Sequence, residues 1–459
     1  MKWVALFWSL LLIGRLAWAG EKPNIIFILA DDLGWTDLGV QGSKYYETPN
    51  IDRLASQGLR LTNYHSCQNC TPTRAALMSG QYAPRTGMYT VGSIDRFAWQ
   101  TRPLRPVDNV ENMPLGKITI AQSLKKAGYA TGMFGKWHLG EQGKYHPSRR
   151  GFDEAIVSMG RHFDFATNPR TEYPAGQYLA DFLTDRAVDF IRRHQKEPFF
   201  LFLPHFAVHT PLDAKPALIE RFKPKPQVAG HRNPTYAAMI ASVDESVGRV
   251  LAVLDELVLA ENTVVIFSSD NGGVGGYVRE GVGRNANDIT DNTPLRSGKG
   301  SLYEGGIRDP FIVRWPGVAR PGSSCDVPAI HVDVYPTLLE IVGATPPANY
   351  ALDGESLVPL LRNPGASLRR DAIYQHFPGY LGIGQDQWRT TPVGLIQAGD
   401  WKLMEFFEDG RLELYNLRDD LGETKNLAAQ MPDKARELRA RLVAWRQAIK
   451  APMPTPNPK

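Results

Sequence analysis

The sequence predicts an α/β protein: a large sheet covered on both faces by helices, followed by a small C-terminal α+β subdomain of antiparallel strands and one helix. Three observations carry this. Continuous apolar runs at 24–30, 198–204 and 263–269 have the composition of strands buried on both faces. They alternate with stretches of helical pattern at 48–58, 119–127 and 236–259. Beyond a proline- and glycine-rich zone from 346 to 365, the pattern changes to short strands around an Asp-Gly turn.

With 459 residues, 43% hydrophobic and 22% charged, the chain has length for one large core plus a smaller unit, which excludes a disordered protein. Residues 1–19 carry Lys2, an apolar run from 3 to 13, and Ala17-Trp18-Ala19 before Gly20, the pattern of a cleavable secretory signal. An uncleaved anchor is the alternative, for which the run is short. The expected protein is exported by the export machinery, periplasmic or secreted, with no stable membrane insertion after cleavage. Loss of Lys2 and Arg15 takes the formal charge from +4 to +2, too little to expect a nucleic-acid partner. The expected units are the signal at 1–19, a catalytic domain at 20–365, the C-terminal subdomain at 366–450 and a loose tail at 451–459.

The first strand, 24–30, ends in Asp31-Asp32; paired carboxylates at the end of a buried strand call for a positive partner, and a divalent cation with oxygen ligands is the natural one. A helix at 48–58 has Pro49 in its first turn and Gly58 at its end. Cys70-Thr71-Pro72-Thr73-Arg74 then opens a helix that stops at Gly80, placing a potential nucleophile at a helix N-terminus, where an anion is held, with Arg74 one turn inside. Cys67-Gln68-Asn69-Cys70 has redox spacing and Asn69-Cys70-Thr71 matches a glycosylation triplet; both overlap the same cysteine, and C-x-P-x-R explains more residues. Cys67, Cys70 and Cys325 are an odd set for an exported chain, so one of them has a role other than a disulfide.

Further on, a helix at 119–127 ends at Gly128, and the strand-like run 130–135 leads into Lys136-Trp137-His138. The run 198–204 precedes His209. The helix at 236–259 leads into strand 263–269, which ends in Asp270-Asn271-Gly272-Gly273, with glycines that let backbone come close. Lys299 sits in a glycine loop that lacks the first glycine of a Walker phosphate loop. A strand at 311–317 and a helix at 333–342 follow. Beyond residue 365, strands 401–407 and 411–415 flank Glu408-Asp409-Gly410, and 434–449 reads as a closing helix.

Open α/β sheets bind ligands outside the carboxyl ends of their strands. Four apolar runs end in Asp31-Asp32, Lys136-x-His138, His209 and Asp270-Asn271, and such a sheet gathers all four on one edge. Three carboxylates and an amide suit a hard cation such as Ca²⁺ better than zinc. Two lysines, two histidines and Arg74 suit a tetrahedral anion and its leaving group.

The run Cys70-Thr71-Pro72-Thr73-Arg74-Ala75-Ala76-Leu77-Met78-Ser79-Gly80 resembles the signature of the formylglycine-dependent sulfatases, and the resemblance extends through most of the mature chain. It implies an alkaline phosphatase-like fold, a large mixed sheet sandwiched by helices, with an antiparallel C-terminal subdomain. It implies that a formylglycine-generating enzyme converts Cys70, and that Asp31, Asp32, Asp270 and Asn271 bind one Ca²⁺ with the modified residue. Arg74 and Lys136 would hold the formylglycine and the sulfate, His138 would help regenerate the aldehyde, and His209 and Lys299 would contact the sulfate and protonate the departing oxygen. Thr73 stands where many members carry serine.

The expected activity is a sulfuric ester hydrolase acting on a sulfated carbohydrate from its end. Trp99, Trp137 and Trp388 are candidates for stacking on sugar rings, and His376 and Arg389 for the substrate rim. Two alternatives stand beside it. One is a phosphodiesterase or phosphonate monoester hydrolase of the same superfamily, against which Asn271 speaks, since phosphate-cutting relatives tend to carry histidine there. The other is a non-catalytic binder of sulfated glycans, against which the complete set of site residues speaks.

Overall fold

The computed structural model describes residues 22–280, 289–384 and 387–458; the expected signal at 1–19 lies outside them. No helix among the described residues is long and apolar enough to cross a membrane.

Eight strands form the main sheet: β1 (Asn24–Ala30), β2 (Leu59–Leu61), β3 (Ala130–Gly135), β4 (Glu154–Val157), β5 (Phe199–Pro204), β6 (Thr263–Ser269), β7 (Phe311–Arg314) and β8 (Ser323–Cys325), in the order β8-β2-β7-β6-β1-β5-β3-β4. β6, β1, β5, β3 and β4 run parallel, while β7 is antiparallel to both β6 and β2, so the sheet is mixed. β1 is central because every one of its residues is apolar or bonded: Asn24 Oδ1 accepts from Phe199 N (3.2 Å), and the next six residues are buried. Successive side chains leave a strand on opposite faces. Ile26 and Ile28 accordingly enter one core with α1 (Pro49–Ser56), α4 (Leu179–Arg193) and α5 (Pro234–Glu256). Ile25, Phe27 and Leu29 enter the other core with α2 (Cys70–Ser79), α3 (Ile120–Lys126) and α6 (Val334–Ile341). Helices thus cover both faces, which is why these strands read as unbroken apolar runs.

The C-terminal sheet is antiparallel, β9 (Ile373–Phe377), β10 (Val393–Ala398), β11 (Trp401–Phe406) and β12 (Leu412–Asn416) in sequence order. Ile396, Leu403 and Leu414 pack on α7 (Pro432–Ala448) through Leu438 and Leu442. The opposite face, Leu395, Met404 and Tyr415, packs on Leu302, Tyr303 and Ile307. These follow the Lys299 loop directly. The contact is pinned by a buried ion group, Lys402 Nζ lying 2.8 Å from both Glu304 and Glu423.

The tail from 451, expected to be loose, is tied down. Thr455–Pro456 pairs with Leu104–Arg105, and Asn457 Nδ2 donates to the carbonyls of Gln100 and Arg102 (2.9 Å each). A proline-rich segment has few donors, but as an edge strand it needs few.

Candidate active site

The strands that end in the singled-out residues, β6, β1, β5 and β3, are immediate neighbours in the sheet. Their carboxyl ends therefore deliver Asp270-Asn271, Asp31-Asp32, His209 and Lys136-x-His138 side by side. Backbone bonds lock the junctions: Asp31 N donates to Ala207 O (3.1 Å), Val208 N to Asp31 O (2.8 Å) and Lys136 N to Pro204 O (2.8 Å). Gly272 is there for close approach, since a Cβ on it would lie 1.9 Å from the Gly305 carbonyl oxygen.

Cys70 is the first residue of α2, after Asn69, and its Sγ lies 4.0 Å from Asp32 Oδ1. One turn on, Arg74 is 1% exposed and bridges three elements. Its Nε donates to Asp270 Oδ2 (2.8 Å), its second amino group lies 2.7 Å from the same oxygen, and Nη1 donates to Lys136 O (2.6 Å). Lys136 Nζ donates to Asp31 Oδ2 (2.5 Å) and Lys299 Nζ to Asp32 Oδ2 (2.7 Å). Asn271 Nδ2 donates to Asp32 Oδ1 (2.9 Å). His209 donates from Nδ1 to Thr210 O (2.6 Å), which leaves Nε2 facing Asp32 Oδ2 at 3.7 Å.

Ligand atoms of Asp31, Asp32, Cys70 and His209 all lie within 4.8 Å of one another. Burial alone would raise the Asp32 carboxyl, but Lys299, His209 and Lys136 outweigh it and hold it well below the usual carboxylate range. Burial and the neighbouring Asp31 push Asp270 up to about 6, against the pull of Arg74. Burial brings His209 down to about 4, with Asp32 opposing and the two lysines assisting. His138 is lowered well below its ordinary value by burial and by Lys136 and Arg74. Burial pushes the Cys70 thiol up to about 12 in spite of Lys136 and Lys299, so the unmodified cysteine is a neutral thiol and a weak nucleophile.

These groups open onto a cavity of about 1,120 Å³ lined by Asp32, Cys70, Lys136, His138, His209 and Lys299, with Arg96, Phe97, Trp388 and Arg389 also on its wall. Of the two residues expected at the substrate rim, Arg389 lines the cavity. His376 does not: it is buried on β9, its Nε2 is hydrogen-bonded to Pro452 O (2.8 Å), and its ring packs against Tyr89 and Phe407. A strand alternates its faces, and His376, opposite Gly394, lies on the face that packs on α7. Trp137 is likewise core, 1% exposed with Nε1 donating to Tyr145 O (3.1 Å), and Trp99 turns to Asp95 (2.9 Å) outside the cavity lining. Arg96 and Phe97 were not legible as site residues, because they follow no strand: Arg96 ends a short 3-10 turn, Ile94–Arg96, and Phe97 comes directly after it. Tyr277 was missed too. Its hydroxyl donates to Lys299 O (2.7 Å) and fixes the lysine loop from behind.

Comparison with known proteins agrees with this fold. The sulfatase family model matches residues 23–344, and a second, described as N-sulphoglucosamine sulphohydrolase, C-terminal, matches 298–448. A sulfatase of Formosa agariphila is 36% identical over 93% of this chain and 89% of its own length. The N-acetylgalactosamine-6-sulfatase of Homo sapiens is 35% identical over 86% of this chain and 74% of its own. Among solved structures, Ps i-CgsB in complex with k-i-k-neocarrahexaose superposes with a TM-score of 0.77 at 29% identity, covering 93% of each chain. The phosphonate monoester hydrolase of Agrobacterium radiobacter, at 18% identity and a TM-score of 0.68 over 93% of this chain and 96% of its own, shares the fold. With a family match over most of its length and a full-length relative above one-third identity, this protein belongs to the sulfatase family of sulfuric ester hydrolases.

Proposed function

We propose that the chain removes sulfate from the end of a sulfated carbohydrate, using a formylglycine derived from Cys70 and one Ca²⁺. The observation that carries this is the position of Cys70: at the start of α2, on the cavity floor, beside a cluster of buried carboxylates and flanked by two lysines. The names of two relatives support a carbohydrate substrate, one an N-acetylgalactosamine-6-sulfatase and one solved with a bound neocarrahexaose.

The residues present fit a hard cation. Asp31 Oδ1 and Asn271 Oδ1 are buried oxygens with no hydrogen-bond donor, beside Asp32 and Asp270. Asp31, Asp32, Asp270, Asn271 and the modified residue 70 would hold calcium, whose charge would polarise the sulfuryl group and lower the pKa of the attacking hydroxyl. A formylglycine hydrate would attack through one hydroxyl and expel sulfate through the other, which a thiol cannot do. A formylglycine-generating enzyme and the export machinery are the partners this reading requires.

The chain's own residues then divide the work. Arg74 holds the Asp270 carboxylate and the Lys136 carbonyl, fixing the ends of β6 and β3 around residue 70. Lys136 and Lys299 face the cavity as ammonium groups and neutralise the sulfate oxygens. His209 Nε2 is uncharged in the free site; beside a bound anion it gains a proton and passes it to the departing sugar oxygen. His138, with a buried unpartnered Nδ1, takes the proton when the aldehyde is restored.

Phosphate ester hydrolysis is the second reading, since it needs similar charge stabilisation. Assaying a sulfated sugar, an aryl sulfate and a phosphodiester side by side, with verified formylglycine enzyme in Ca²⁺, tests the choice. Sulfate release with little phosphate release is expected; preference for the phosphodiester would overturn the proposal.

A further inference from the structure

We infer that Arg389, with Arg96 lining the same cavity, forms an anion subsite beside the reaction centre, so that the preferred substrate is a sulfated sugar carrying a second anionic group near the ester that is cut. This rests on the carbohydrate-sulfatase reading above and narrows its substrate class.

Arg389 lies on the short hairpin of Leu381–Gly384 and Gln387–Thr390, which the C-terminal subdomain sends over the Lys299 loop. Gly300, at φ +94°, makes room for it: a Cβ there would lie 2.8 Å from Arg389 Cδ. The guanidinium sits 4.8 Å from the ring centroid of Tyr277, the residue whose hydroxyl holds the Lys299 carbonyl. Arg389 is therefore placed against the element that carries a sulfate-facing lysine.

Its charge is unspent. Arg389 Nε is buried with no acceptor, and among the described residues no carboxylate lies within ion-pair distance of Arg389 or Arg96. Nearby Arg102, by contrast, is paired with Glu408 at 2.6 Å. Asp32, the carboxylate on the cavity wall, is already engaged by Lys299 at 2.7 Å. A half-buried guanidinium held by an aromatic face, with its fork free of a protein anion, is suited to take two oxygens of a ligand carboxylate or sulfate. Trp388 is the adjacent residue and packs edge-on to Phe97 at 6.4 Å, so an aromatic wall for a sugar ring stands beside the cation.

The test is equilibrium binding to the full-length Cys70→Ser protein, in which no turnover depletes the ligand. Three probes are compared: a mono-O-sulfated hexose, its di-O-sulfated counterpart, and the same sulfated hexose linked to a uronic acid. Hydrogen bonds to a charged partner predict that at least one doubly charged probe binds about tenfold or more tighter than the singly charged one, and that added salt erodes the difference. The two doubly charged probes separate sulfate from carboxylate as the second anion. In Arg389→Gln, and to a smaller degree in Arg96→Gln, that ratio should fall towards one, while thermal melting reports that the variant is folded. Equal binding of all three probes, or a ratio that survives Arg389→Gln in a folded protein, would overturn the inference. Failure of converted wild-type enzyme to cleave any sulfate ester would instead strike the enzymatic reading, leaving a measured binding preference intact.

Discussion

At the scale of single residues, Arg74 is the keystone. Its guanidinium neutralises Asp270, approaches Asp31 at 3.9 Å and caps the Lys136 carbonyl, so its removal strands buried acceptors on two strand ends. Arg74→Met should cost about 3–5 kcal/mol, because an uncompensated buried charge is left behind. Thermal melting of the variant checks this; a loss within 1 °C of wild type would show that the ion group contributes nothing. The place of Arg74 was legible because C-x-P-x-R fixes it one helical turn from Cys70, whereas its pairing with Asp270 and the Lys136 carbonyl was not. Asp31, Asp32, Asp270, Asn271, Lys136, His138 and His209 were legible for a different reason: each directly follows a buried strand or sits a few residues past one, and strand ends converge. His376 shows the limit. It lies inside a strand, and alternation fixes which face it takes only once the register of β9 on β10, His376 opposite Gly394, is known.

At the scale of elements, the continuous apolar runs became strands with nearly the expected ends, 24–30, 130–135 and 263–269 without change. The edge of the sheet was not legible. β2 and β8 have three residues each, too short for a period to show, and nothing in the composition of β7 says that it runs antiparallel to β6. Helix ends were read well where caps spell them out. Thr119 accepts from Gln122 N (3.1 Å) and the Gln122 side chain accepts from Thr119 N (2.8 Å), a capping box. Thr119→Ala should therefore cost about 1 kcal/mol, measured as a shift of the denaturant midpoint at unchanged slope. The ion group between the two sheets makes a sharper demand. Lys402→Met would leave Glu423 buried without its cation, beside a Glu304 held by Arg308 (3.0 Å), and the expected loss is again about 3–5 kcal/mol. Because Glu304 follows closely on the Lys299 loop, that variant should also lower sulfate-ester turnover; a destabilised but fully active protein would show the loop to be independent of the C-terminal sheet.

At the scale of the whole molecule, stability depends on pH through buried histidines that do not line the cavity. Burial brings His205 and His376 down to about 4 and His331 to about 3. Between those values and the unfolded value near 6.5, the unfolded chain binds protons that the folded chain refuses. Stability contributed by these three groups is present above about pH 6.5 and is lost as pH falls through about 4. Melting temperature should decline over that window, and His331→Gln, which removes one such group, should flatten the decline. The proposed calcium site would add a second linkage: chelation should lower the melting temperature and restored Ca²⁺ should raise it, more so at higher free ion. Whether residue 70 becomes the nucleophile of this cavity is read directly by mass. Protein made with a formylglycine-generating enzyme yields the tryptic peptide running from Leu61 to Arg74. A peptide about 18 Da lighter than its cysteine form is the predicted result; an unmodified thiol, with the maturation enzyme active on a control substrate, would contradict it.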